Sequence, residues 1–190
     1  MRIFQSDKEK RIAEGIRKGS HTAMKELYDE WSGYLFALCL RYVPDRETAG
    51  DILQDSLVKI FSNAGSFSYK GPGSLKAWIS RIAVNEALQY LRKKKGSEMI
   101  EYKDSLPDIV SEEPEEADIG KIPANVLQKM IEELPEGYRT IFNLFVFEEM
   151  SHKEIAAALG ISESTSASQF HRARKLLARK IKEYGKGLDR

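Results

Sequence analysis

Ser151-His152-Lys153-Glu154-Ile155-Ala156-Ala157-Ala158-Leu159-Gly160-Ile161-Ser162 reads as the end of one helix and the start of another. Ser151 is placed to cap a short helix, His152 to Leu159, with Ile155, Ala156 and Leu159 inward at helical spacing. Gly160 supplies a left-handed turn residue, Ile161 plugs the core, and Ser162 caps a long second helix from Glu163 to about Tyr184. Short helix, glycine turn and capped helix make a helix-turn-helix pattern. The second helix is basic: Arg172, Arg174, Lys175, Arg179, Lys180 and Lys182 fall within twelve residues that hold no acid. Such a helix suits the DNA major groove, with its N-terminal residues at base edges. Glu163, Ser164, Thr165, Ser166 and Ser168 sit near its start, and Gln169, His171, Arg172 and Lys175 are expected to continue the exposed face. Ser162 is expected to act as a cap and not as a base reader.

Working upstream, Val126, Leu127, Met130 and Ile131 stripe a helix that ends near Leu134, and Pro135 suits the first turn of the next. That next helix runs through Tyr138, Ile141, Phe142, Leu144 and Phe145 to about Glu148. Before these comes a segment of another kind. Residues 96–120 hold one basic and nine acidic side chains, with Pro107 and Pro114 and few large apolar residues. They are expected not to fold alone. Fully extended they would reach roughly 80–90 Å, and as a flexible coil about 25–30 Å. Two readings of this acidic linker stand: a passive spacer, or carboxylates that mimic nucleic acid inside a basic channel of a partner.

The first half is basic again. Residues 1–95 carry 17 basic and 11 acidic side chains, and residues 121–190 carry 12 and 9, so a net charge of +1 conceals strong segregation. Two positive modules around an acidic tether suggest a polyanionic partner. Met24, Leu27, Tyr28, Trp31, Tyr34, Leu35, Leu38 and Tyr42 recur at three- and four-residue spacing, with Ser20 as a plausible N-cap. Pro44-Asp45 breaks that helix, and Asp45 can cap the next, whose apolar stripe is Ile52, Leu53, Leu57, Ile60 and Phe61. Asp51, Gln54, Asp55 and Lys59 occupy its opposite face. Residues 63–74, with Gly65, Gly71, Pro72 and Gly73, read as a loop, and a last helix from Leu75 to about Lys95 turns Trp78, Ile82, Ala83 and Leu91 inward. No stretch alternates long enough for a strand. The fold class is all-α: a helical domain over residues 1–95, a linker over 96–120 and a second helical domain over 121–190.

Composition narrows the function. At 42% hydrophobic and 31% charged, the 190 residues can build packed cores, which argues against wholesale disorder. No apolar run approaches the roughly 20 residues that cross a bilayer, the N-terminal residues lack a signal-peptide pattern, and the single Cys39 fits a reducing compartment. A soluble, cytoplasmic protein with no membrane insertion is expected. His21, His152 and His171 suggest no metal ligand set, Cys39 lies in the apolar Leu38-Cys39-Leu40 run, and the linker acids lack a frame to hold a metal. No enzyme, cofactor or metal is expected.

Three motifs in order carry a family likeness. The segments Asp51-Ile52-Leu53-Gln54-Asp55-Ser56-Leu57-Val58-Lys59-Ile60-Phe61, Leu75-Lys76-Ala77-Trp78-Ile79-Ser80-Arg81-Ile82-Ala83-Val84-Asn85-Glu86-Ala87 and Leu91-Arg92-Lys93-Lys94-Lys95 resemble region 2 of the extracytoplasmic-function (ECF) sigma factors. Leu134-Pro135-Glu136-Gly137-Tyr138-Arg139, the helix-turn-helix and Arg172-Ala173-Arg174-Lys175-Leu176-Leu177 resemble region 4. The likeness runs from about Ser20 to Leu177.

The resemblance implies a subunit that directs bacterial core RNA polymerase to promoter DNA. Region 2 would dock on the clamp of the largest subunit and capture the melted −10 element, and region 4 would pack on the flap of the second-largest and read the −35 element. Asp51, Gln54, Asp55 and Lys59 would form the docking face. For strand capture, Phe67, Ser68, Tyr69, Lys70 and Ser74 would supply a pocket, and Lys76, Arg81, Asn85, Arg92, Lys93, Lys94 and Lys95 the grip and base-edge contacts. Glu163, Ser164, Thr165, Ser166, Ser168, Gln169, His171, Arg172 and Lys175 would meet the −35 duplex. An anti-sigma factor is a further expected partner. Two departures stand out. Ile79 follows Trp78 where primary sigma factors have two adjacent aromatics, and Ser166-Ala167-Ser168-Gln169 replaces a Val-Lys-Ser-Arg run of many relatives, so promoter preference does not transfer. The alternative is a helix-turn-helix regulator acting without polymerase.

Overall fold

A computed structural model describes residues 2–95 and 122–188, with side chains from 7 to 94 and from 122 to 185. The expected linker, residues 96–120, and the side chain of Lys95 lie outside the described residues. The chain forms two compact units, residues 1–93 and 94–190. Among the described residues every regular element is helical.

The first unit opens with a helix that the sequence pattern did not announce, α1 (Arg2–Arg17). Its buried stripe is narrow, Ile12, Ala13 and Ile16, set in a run dominated by charge. It packs on α2 (His21–Tyr42). Close approach is possible because position 15 is glycine: a Cβ there would stand 2.4 Å from that of Ala23. Arg11 grips Glu26 through both terminal nitrogens at 3.0 and 2.7 Å, and Lys8 pairs with Glu30. Ser20 caps α2 as expected. Leu27, Leu35, Leu38, Cys39 and Tyr42 of α2 are buried, whereas Tyr28 and Tyr34, on the same spacing, stay exposed.

Asp45 caps α3 (Arg46–Asn63), accepting the Thr48 N–H at 2.9 Å and its hydroxyl at 2.7 Å. These bonds hold the Asp45 carboxyl below its ordinary range. Ala49, Ile52, Ser56, Leu57 and Ile60 face inward. A 3-10 turn over Ala64–Ser66 leads into the loop before α4 (Ser74–Lys95). The core residues of α4 are Leu75, Ile79, Ala83, Val84, Ala87, Leu88 and Leu91. Trp78 and Ile82, expected inward, are only half-buried, because the apolar arc centres on Ile79 and leaves them on its flank.

The second unit holds α5 (Ala124–Glu132), α6 (Glu136–Val146), α7 (His152–Leu159) and α8 (Glu163–Leu188). Its principal core joins Met130, Ile131, Leu134 and Tyr138 to Ala173, Leu177 and Ile181 of α8. Ser151 and Glu154 form a reciprocal capping box on α7, and Gly160 ends that helix at φ 68°. Ser162 accepts the Thr165 N–H at 3.0 Å and so caps α8. That helix extends past the expected end near Tyr184 to Leu188.

Candidate nucleic-acid interface

In the first unit, α3 presents Asp51, Gln54 and Asp55 to solvent on one face. Val58 stands one turn further along that face and is 63% exposed. An exposed valine beside carboxylates offers a partner both charge and apolar area, and Val58 is not among the docking residues expected from the sequence. Lys59 is exposed as well, and it is also engaged within the unit. Its ammonium is 2.6 Å from Glu86 Oε1 and 3.1 Å from Gln89 Oε1, so it ties α3 to α4.

The loop carries a correction. Phe67 is 8% exposed, and its ring lies 4.8 Å from that of Trp78. The 3-10 turn brings the chain back on itself, with the Phe67 N–H donating to the Ala64 carbonyl, and aims the ring at the unit's interior. Phe67 therefore anchors the loop rather than offering an open face to a base. Ser68 and Lys70 are exposed and Tyr69 half-buried. Ser74 donates its hydroxyl to the Gly71 carbonyl at 2.6 Å and accepts the Lys70 N–H at 3.2 Å, so it organises the turn from within.

Along α4, Arg81, Asn85 and Arg92 are exposed and recur at helical spacing, on the face that also carries Trp78 and Gln89. Asn85, Glu86, Gln89, Arg92 and Lys93 line an open groove. Lys93 and Lys94 are both exposed. The Lys76 ammonium sits 4.3 Å from the centre of the Tyr34 ring, an interaction that fixes the direction of a cation which would otherwise sample many rotamers.

In the helix-turn-helix, Glu163, Ser164, Ser168 and His171 are exposed, and Thr165, Arg172 and Lys175 are half-buried. Ser166 and Gln169 face the other way, at 0% and 3% exposure. The Ser166 hydroxyl lies 3.0 Å from His152 Nδ1 and so joins α8 to α7. The periodicity explains this correction: stepping back from Leu177 and Ala173 by three and four residues reaches Gln169 or Phe170 and then Ser166. Their polarity concealed their place on the inner face. Behind them the rings of Phe145, His152 and Phe170 pack together, with Phe145 and Phe170 4.2 Å apart. Ala167 and Arg174 are exposed beside Ser168 and His171.

No group of three or more His, Cys, Asp or Glu side chains among the described residues is arranged to hold a metal ion. Among those residues, no helix is long and apolar enough to cross a membrane.

Comparison with known proteins agrees with this division. The family "Sigma-70 region 2" matches residues 27–97, and "Sigma-70, region 4" matches residues 124–177. A region 2 helical unit followed by a region 4 helix-turn-helix unit is the organisation of a sigma-70-class initiation factor. The ECF RNA polymerase sigma factor SigW of Bacillus subtilis is 30% identical over 92% of this chain and 96% of its own. The ECF RNA polymerase sigma-E factor of Escherichia coli is 28% identical over 90% and 92%. The solved structure of CnrH, in complex with the cytosolic domain of CnrY, is similar in fold: TM-score 0.50 at 18% identity, covering 93% of this chain and 98% of that one. The chain belongs to the ECF sigma factors, which direct core RNA polymerase to promoters.

Proposed function

We propose that this sigma factor divides its work by domain, with residues 1–95 for polymerase docking and −10 capture, 96–120 as a linker and 121–190 for −35 recognition. The observation that carries this reading is that two different exposed faces lie on α3 and α4, helices that Lys59 ties together. Asp51, Gln54, Asp55 and Val58 on α3 form one, acidic and partly apolar. Arg81, Asn85, Arg92, Lys93 and Lys94 on α4 form the other, cationic and polar. The acidic face repels phosphate and suits a basic helical partner such as the polymerase clamp. The cationic face suits the sugar-phosphate track of an opened strand. Ser68, Tyr69 and Lys70 form the rim, and Lys76 stands beside it.

In the second unit, Glu163, Ser164, Thr165, Ser168, His171, Arg172 and Lys175 make the duplex-facing side of α8. Serines and histidine give hydrogen bonds to base edges, and Arg172 and Lys175 attract phosphates. Glu163, at the helix start, opposes close approach of a phosphate to that end and confines contact to the residues after it.

The protein supplies recognition, and the polymerase performs the chemistry, so this chain has no catalytic role of its own. It works in the cytoplasm, where polymerase and chromosome are. An anti-sigma factor is a further partner, and the exposed Val58, Val146 and Phe147 are the apolar positions such a protein would cover. The test is reconstitution. Wild-type chain with core polymerase is expected to initiate transcription from a genomic promoter library, and Asp51→Lys with Asp55→Lys to lose retention of core polymerase with helical content unchanged. Normal retention by that double variant would remove α3 from the docking surface.

A further inference from the structure

The turn that carries Ser68, Tyr69 and Lys70 is tied down from far away in the sequence. Glu9, on α1, is 8% exposed. Its Oε2 accepts the Gly73 N–H at 2.7 Å, and its Oε1 accepts the Leu75 N–H at 2.8 Å. Opening amides of α4, which have no partner within the helix, are thus met by one carboxylate, whose negative charge also suits the positive end of the helix dipole. The backbone here does not fix itself. Gly71 and Gly73 have φ values of 124° and 85°, and glycine at positive φ moves readily among several basins. The Ser74 hydroxyl closes the turn on one side, and Glu9 closes it on the other.

Glu9 is not needed to hold α1 in place. Ile12, Ala13 and Ile16 are buried on that helix, and Arg11 and Lys8 pair with Glu26 and Glu30. A buried carboxylate is costly unless its oxygens are hydrogen-bonded, and the bonds this one makes are to the turn. We infer that Glu9 is a positioning residue for strand capture: through the Gly73 and Leu75 amides it sets one geometry for the residue 68–74 turn, and with it the selectivity for bases of the opened −10 strand. This rests on the role proposed above for that turn.

The test uses the full chain reconstituted with core RNA polymerase. The probe is a forked DNA library whose −10 segment is single-stranded and randomised. Glu9→Gln keeps the size of the side chain, but its one carbonyl oxygen cannot serve both amides in the same way, and its NH2 faces a donor. The variant is expected to retain core polymerase and the salt dependence of DNA binding. Amide exchange at Gly73 and Leu75 should quicken at least tenfold, and sequence enrichment at the −10 positions should fall at least tenfold. Gly73→Ala, which strains the turn at its φ of 85° without touching Glu9, should show the same loss and decides the matter if Glu9→Gln folds poorly. Wild-type selection with undiminished enrichment by Glu9→Gln would overturn the inference and leave the domain reading standing. Absence of enrichment by the wild-type holoenzyme itself would overturn both.

Discussion

Arg139 reaches back from α6 so that its Nη1 lies 2.9 Å from the carbonyl oxygen of Leu134, and the same nitrogen is 2.9 Å from that of Glu132. One buried guanidinium thereby serves a carbonyl at the end of α5 and another just past it. Burial pushes the Arg139 guanidinium down from its ordinary value, while Glu136 and Glu132 oppose that shift. Arg139→Met should destabilise the second unit by about 1.5–3 kcal/mol, the scale of hydrogen bonds to a charged group. Arg139→Lys should restore part of this, since an ammonium keeps the charge without the planar fork. Thermal unfolding of the full chain followed by circular dichroism measures both, and an unchanged midpoint in Arg139→Met would refute the capping role.

The α1–α2 contact gives a prediction in which two effects oppose. In an exposed helix, Gly15→Ala would gain about 1 kcal/mol of helix propensity. Here the new Cβ would stand 2.4 Å from that of Ala23, and separating the helices should cost about 1–3 kcal/mol. Net destabilisation is expected. Adding Ala23→Gly should recover part of it, so that urea denaturation of the four chains shows a coupling that two independent substitutions would lack.

How legible was this in the sequence? The helix-turn-helix is legible almost to the residue, because Ser151, Gly160 and Ser162 each mark an end chemically. The helix α1 was not read, since three apolar residues amid many charges give no broad stripe and its packing depends on Gly15. The loop before α4 and the inner face of α8 depart from the expectation. Polarity is no sure sign of exposure, since Ser166 and Gln169 are buried, and a ring in a loop need not be open to a base, since Phe67 is the anchor of its loop. Glu9 could not have been found from pattern at all, because its partners are backbone amides 64 and 66 residues away.

Cys39 offers a check on the first unit's core. The thiol is fully buried, and desolvation pushes it up from its ordinary value of 9.0 to about 12. Only the thiolate reacts readily, so a maleimide or disulfide reagent at pH 8 should leave the folded chain unmodified and label it fully in denaturant. The linkage has a definite sign. Between pH 9 and 12 the folded state keeps a proton that the unfolded state releases, so this group's contribution to stability is present below pH 9 and declines as pH rises through that window. Rapid labelling of the folded chain would show that the core opens around Cys39.

The clearest division of roles lies on α8, between residues two positions apart. Ser166 is fully buried and bonded to His152, whereas Ser168 is exposed on the other side of the helix. Ser166→Ala removes a buried partner and should cost about 1 kcal/mol of stability while leaving the −35 sequence preference as it was. Ser168→Ala and His171→Ala should do the reverse, with the unfolding midpoint unchanged and the preference altered by about 1–3 kcal/mol at the contacted base pairs. Selection of randomised −35 duplexes by the reconstituted holoenzyme, set beside thermal unfolding of each variant, separates the two. A changed preference in Ser166→Ala with its midpoint intact would mean that α8 turns a different face to DNA than the one its burial pattern indicates.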